Sequence, residues 1–151
     1  MKILFLDIDG VLNSSRTAQA FKVFPHDFKD LEKFDKVAIA LIKLLCEETE
    51  SKIVLSSSWR HDFSSLQAAN GLKLPILFST PRKCNVLENP HHLRGMEIKE
   101  WLSQHPEVTK YAIVDDSSDM LEEQKDFFVH VSTADGLSYK NYCDLHRILK
   151  D

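Results

Sequence analysis

The chain has 151 residues, 43% of them hydrophobic and 28% charged, with a formal net charge of −4 when histidine is neutral. This is the size of one domain, able to bury about 70% of the surface its unfolded form exposes, so no disulfide or metal staple is needed for stability. The composition excludes a disordered or membrane-embedded chain. The acidic balance argues against a broad footprint on duplex nucleic acid but leaves contact with a nucleic-acid end open.

The N-terminal stretch organises the rest. Four apolar residues, Ile3, Leu4, Phe5 and Leu6, read as a strand buried on both faces, and they run into Asp7, Asp9 and Gly10. Charged side chains avoid a core unless they are paired or bind a cation, so two carboxylates closing a buried strand point to a metal at the mouth of a sheet. A calcium loop fits poorly, because it needs further acidic ligands and a glycine at its sixth position, whereas Val11 and Leu12 follow Gly10 at once. An Asp-Gly hairpin turn with Asp7 as an incidental surface charge is the stronger competing reading. The apolar run is too short for a signal peptide or a membrane span, so a cytoplasmic location is expected unless a route that leaves no mark exports the protein. Cys46, Cys84 and Cys143 are odd in number and widely spaced, and free thiols are expected.

Residues 13–33 carry Phe21, Phe24 and Phe28 among polar residues and Pro25, with no sustained period. A loop or small hairpin over the mouth of the first strand is expected there, a candidate lid. Over 35–50, apolar residues recur at helical spacing, and Asp35 is placed to cap them. A strand follows at 53–55 and ends in Ser56-Ser57-Ser58-Trp59-Arg60. Next come a short helix over 62–69, stopped by Asn70-Gly71, and a strand at 75–79. The pattern continues with a loop over 80–90, a helix over 93–104 ended by His105-Pro106, and a strand at 111–114 entering Asp115-Asp116. A helix to about 124, a strand at 127–131, a turn at Gly136 and a helix over 138–149 complete it.

Strands alternating with helices at this spacing predict an α/β fold, a doubly wound parallel sheet of Rossmann type with helices on both faces. Ligand sites in such sheets lie beyond the carboxyl ends of the strands, where the strand order switches. Three polar clusters fall at such ends: Asp7 with Asp9, residues 56–60, and Asp115 with Asp116.

On these residues the chain resembles the haloacid dehalogenase (HAD) superfamily of phosphotransferases. Asp7-Ile8-Asp9-Gly10-Val11 is similar to its first motif, Ser57 at a strand end to its second, and Asp115-Asp116 at a later strand end to its fourth. Leu-Ser-Ser-Ser-Trp-Arg together with Arg-Gly-x-Glu-Ile-x-x-Trp-Leu resembles the small, minimally capped branch that includes domains of RNA-repair proteins and polynucleotide phosphatases. The resemblance implies a single HAD-like domain over 1–151, with a short flap or cap insertion at about 13–33.

It also implies roles. Asp7 would be the nucleophile that forms an aspartyl phosphate, and Asp9 the general acid and base. Mg²⁺ would be held by Asp7, the backbone carbonyl of Asp9 and Asp116, with Asp115 as a supporting carboxylate. Asp115, Asp116 or Ser117 could equally be a helix N-cap, and Asp119 reads as an exposed first-turn acid. Ser57 would bind a phosphoryl oxygen, although Ser56 or Ser58 could take that part, or Ser57 could be a strand-end turn residue. The third motif calls for a cation. Arg94 is the choice and Lys99 the reserve, with an ordinary surface charge as the competing reading for Arg94. Arg60, His61, Arg82, Lys83, His91 and His92 could line a substrate rim. The implied activity is Mg²⁺-dependent phosphomonoester hydrolysis, on a nucleotide, a small metabolite, a nucleic-acid end or a phosphoprotein. The alternative is a catalytically inactive module of the same fold that binds a phosphorylated partner.

Overall fold

Strand β1 (Lys2–Leu6) is buried on both faces because its side chains alternate between two separate cores. Leu4 and Leu6 join Ile53, Leu55, Ala112 and Val114 on one face, while Ile3 and Phe5 join Val54 and Ile113 on the other. The computed structural model describes residues 1–82 and 93–151. Five parallel strands, β1, β2 (Ser51–Leu55), β3 (Ile76–Ser79), β4 (Lys110–Asp115) and β5 (Phe128–His130), lie in the order β3-β2-β1-β4-β5. Helices α2 (Lys36–Thr49), α3 (Ser65–Leu72) and α5 (Tyr139–Leu149) supply Ile42, Leu45, Leu72 and Leu145 to the first core. Helix α4 (Leu93–Ser103) covers the other face with Ile98 and Trp101. The expected doubly wound parallel sheet is therefore present. No helix among the described residues is long and apolar enough to cross a membrane.

The strand order reverses at β1, whose flanking strands are far apart in sequence. Leu6 pairs with Leu55 on one side and with Val114 on the other. The next step along each strand brings Asp7, Ser56 and Asp115 to the same edge. The Asp7 N–H still donates to the Val114 carbonyl at 3.1 Å, and the Ser56 N–H to Leu6 at 3.0 Å.

Some local expectations need correction. Residues 13–33 hold a helix, α1 (Ser15–Phe21), in place of a loop or small hairpin, and Ser14 caps it in a capping box with Thr17. The segment after β2 is a 3-10 turn, Ser58–His61, followed by α3, which passes through Asn70 and Gly71 and ends at Lys73 in the left-handed conformation. Gly71 is not the stop, because it serves packing: a Cβ there would lie 2.3 Å from Cβ of Phe28. Residues 116–121 form no helix, and only a 3-10 turn, Glu122–Phe127, follows. Asp115 Oδ1 takes the Ser117 N–H at 2.9 Å, a local bond that competes with helical pairing. Asp35 does cap α2, accepting from the Val37 and Ala38 N–H groups.

Candidate active site

Asp7 follows the last residue of β1 and is almost fully buried. Asp115, the last residue of β4, is inaccessible to solvent, and the half-buried Asp116 comes next. One carboxylate oxygen from each of Asp7, Asp115 and Asp116 lies within 4.8 Å of the others. Gly10 makes this approach possible. Its φ of +79° is in the left-handed region, and a Cβ there would lie 2.0 Å from Asp116 Oδ2. Asp116 is held from behind, since Thr133 Oγ1 donates to Oδ2 at 2.9 Å and His130 Nε2 donates to its carbonyl at 2.8 Å.

The cation in this cluster comes from α4. Arg94 Nη1 lies 3.1 Å from Asp115 Oδ2 and 3.4 Å from Asp7 Oδ1. Burial works against its charge, but Asp115 and Asp7 hold the guanidinium above its usual range. Lys99 is exposed and pairs with Glu123 at 2.9 Å. Asp119 is no exposed first-turn acid, because it binds the start of α4: Oδ2 accepts from the Arg94 N–H at 3.1 Å.

One guanidinium does not balance three carboxylates. Burial, and then the charge of Asp7, push the Asp115 carboxyl up to about 8. Burial also raises Asp7, against the opposing pull of Arg94 and a bond from Ser57. Crowded oxygen donors carrying more negative charge than their partners among the described residues offset are the donor set a hard divalent cation takes, so these residues fit a metal ion.

Asp9 is set apart from this cluster. Its side chain is exposed, with Oδ1 accepting from Asn13 Nδ2 at 2.9 Å and Oδ2 from Trp59 Nε1 at 3.0 Å. A cleft of about 620 Å³ opens on this side, lined by Asp9, Phe24, His26, Trp59, His61, Phe63 and Asp116 among others.

Ser56 and Ser57 are both fully buried, and Ser57 caps the 3-10 turn through the Trp59 N–H at 3.3 Å. The Ser56 hydroxyl has no hydrogen-bond partner among the described residues, whereas Ser58 is exposed. Arg60 does not belong to a rim. Its side chain is 5% exposed, paired with Glu97 at 2.6 Å, and it donates to the carbonyls of Ser56, Ser57 and Thr80. His61 lines the cleft and Arg82 is exposed, while Lys83, Cys84, His91 and His92 lie outside the described residues. Asn13, Trp59 and Thr133 had no assigned role in the sequence, although Asn13 stands four residues beyond Asp9 and Trp59 two beyond Ser57.

A family model for the HAD domain in Swiss Army Knife RNA repair proteins matches residues 3–142. No curated protein and no solved structure matches the chain.

Proposed function

Because the chain belongs to the family of HAD domains found in Swiss Army Knife RNA repair proteins, we propose that it is a Mg²⁺-dependent phosphomonoester hydrolase working through an aspartyl phosphate on Asp7. The observation that carries this reading is the convergence of Asp7, Asp115, Asp116 and Arg94 at the switch in strand order, with Ser57 beside Asp7.

Asp7 is the nucleophile. Its carboxylate attacks phosphorus, the bond from phosphorus to the leaving oxygen breaks, and Asp9 gives that oxygen its proton. Asp9, now a carboxylate, takes a proton from water as the water attacks the acyl phosphate, which releases inorganic phosphate and restores Asp7. Arg94 supplies positive charge beside the nucleophile, and Ser57 offers a hydroxyl to a phosphoryl oxygen without adding negative charge. Asp7, Asp116 and the Asp9 carbonyl would hold the cation, with Asp115 in support. That ion would offset the repulsion between the carboxylates and the anionic phosphoryl group.

The alcohol part of the substrate would occupy the cleft on the Asp9 side. Phe24, Phe63, His26 and His61 give it aromatic and imidazole surfaces that suit a planar base, which favours a nucleotide or a nucleic-acid end over a sugar phosphate or a phosphoprotein. Helix α1 and the loop after it, within residues 13–33, make a small flap rather than a cap domain, and the site stays open to bulky esters. The free thiols of Cys46 and Cys143 suit a reducing, cytoplasmic setting.

The test is turnover of p-nitrophenyl phosphate, nucleoside monophosphates and phosphate-ended oligonucleotides with Mg²⁺, together with trapping of an acid-stable, hydroxylamine-sensitive phosphoenzyme. Turnover of none of these, with retained binding of a phosphorylated ligand, would give the non-catalytic binding module in its place.

A further inference from the structure

Asp9 is exposed, and a solvated aspartate samples several rotamers. Here both of its oxygens are held, by Trp59 Nε1 at 3.0 Å and Asn13 Nδ2 at 2.9 Å. Both groups act as donors only. The indole nitrogen has no acceptor capacity, and the Gly10 N–H donates to Asn13 Oδ1 at 3.0 Å, which turns the Asn13 amide nitrogen toward Asp9. Each carboxylate oxygen carries two lone pairs, so these bonds leave room for the proton that Asp9 exchanges.

The indole is itself clamped. Trp59 is 8% exposed, and its ring centroid lies 4.7 Å from Phe28, 5.7 Å from Phe34 and 5.6 Å from Phe63. Phe28 and Phe34 are buried and flank the short turn Leu31–Lys33, and Gly71 lets α3 close on Phe28. Packing alone would be served by any large apolar ring. The N–H aimed at a carboxylate is the feature that packing does not explain.

We propose that Trp59, with Asn13, is a positioning residue that holds the Asp9 carboxyl in the orientation from which it transfers its proton, and that Phe28 and Phe34 brace it. This inference rests on the acid/base role of Asp9 proposed above. The segment leading into α2 then acts through Trp59 on the proton-transfer group as well as bordering the cleft.

Trp59→Phe keeps a ring in the cluster and removes the N–H. Its kcat/KM should fall about 10-fold or more on phenyl phosphate, whose leaving group needs protonation, and markedly less on p-nitrophenyl phosphate, whose leaving group does not. Asp9→Asn should show the same substrate dependence, and adding Trp59→Phe to it should cost little more. Equal losses on the two substrates, or losses that multiply in the double variant, would overturn the inference while leaving the phosphatase reading intact. A wild-type protein inactive on both esters would overturn the phosphatase reading, and the positioning role with it.

Should Trp59→Phe fail to fold, the indole N–H resonances of the two tryptophans decide. Asp9→Asn should move the Trp59 resonance and leave that of Trp101, which lies on the far face of the sheet. An unmoved Trp59 resonance overturns the pairing.

Discussion

Arg60 Nη2 lies 2.6 Å from Glu97 Oε2, with the two side chains only 5% and 4% exposed, and this buried pair ties the loop after β2 to helix α4. The same guanidinium donates to the carbonyls of Ser56, Ser57 and Thr80, so it anchors the backbone that carries Ser57. Arg60→Ala would leave Glu97 and three carbonyls without these donors, and it should cost about 3–5 kcal/mol in chemical denaturation. Arg60→Lys should recover only part of this, because an ammonium lacks the planar fork. A loss below about 1 kcal/mol, the level of an exposed pair, would show that the bridge is not structural.

Chelator should abolish turnover of p-nitrophenyl phosphate, and Mg²⁺ should restore it, with Ca²⁺ a poor substitute because of its larger and looser shell. Mg²⁺ should also raise the melting temperature of the chelated protein, since an ion that binds only the folded chain stabilises it. Asp116→Asn should shrink that rise. Full activity in chelator would remove the metal from the mechanism.

Arg94 touches Asp7 and Asp115, whereas Lys99 pairs with Glu123. Arg94→Ala should lower kcat/KM by about 10²–10³-fold, the scale of one lost donor to a developing oxyanion. Lys99→Ala should stay within about twofold, as surface changes usually do. Ser57→Ala should cost more than Ser58→Ala, because Ser57 is buried beside Asp7 and Ser58 is exposed. Steady-state kinetics of the four variants would check both orders.

Asp7→Asn should eliminate turnover and the phosphoenzyme, because an amide is a poor nucleophile. Asp9→Asn should retain a residual rate on a good leaving group, since general acid/base catalysis is typically worth about 10²–10⁴-fold. The folded state raises the Asp7 carboxyl above its ordinary value, so it disfavours the charged form. The neutral amide should therefore melt higher than wild type in chelator, and a lower melting point would contradict that charge balance.

Gly10→Ala places a methyl 2.0 Å from Asp116 Oδ2 at a φ of +79°. It should destabilise the fold by more than about 1 kcal/mol and weaken Mg²⁺ dependence by displacing Asp116. Thermal melts with and without Mg²⁺ would measure both effects.

Much of the architecture was legible because it is written in local periodicity. Ile3, Leu4, Phe5 and Leu6 announce a strand buried on both faces, the 3.6-residue pattern marks α2, and Asp35 marks its start. Other boundaries were not. Gly71 reads as a helix stop, yet it is spent on the close approach of Phe28, a residue far away in sequence. Asp119 reads as a first-turn acid, but the helix it serves is α4, which precedes it in the chain. Arg60 reads as a candidate for the substrate rim because its buried partner, Glu97, lies 37 residues away.

By itself the sequence determined the five strands and helices α2 to α5 to within a few residues, and it placed Asp7, Ser57 and Asp115 with Asp116 at or just beyond strand ends, because such elements follow from residues only a few positions apart. Only the tertiary structure decided the strand order, which sets Asp7 and Asp115 side by side. It also gave Arg94 rather than Lys99 to their carboxylates and aimed the Trp59 indole at Asp9 across 50 residues of chain. Contacts of that kind depend on parallel register and on which helix covers which face, and no local pattern carries either.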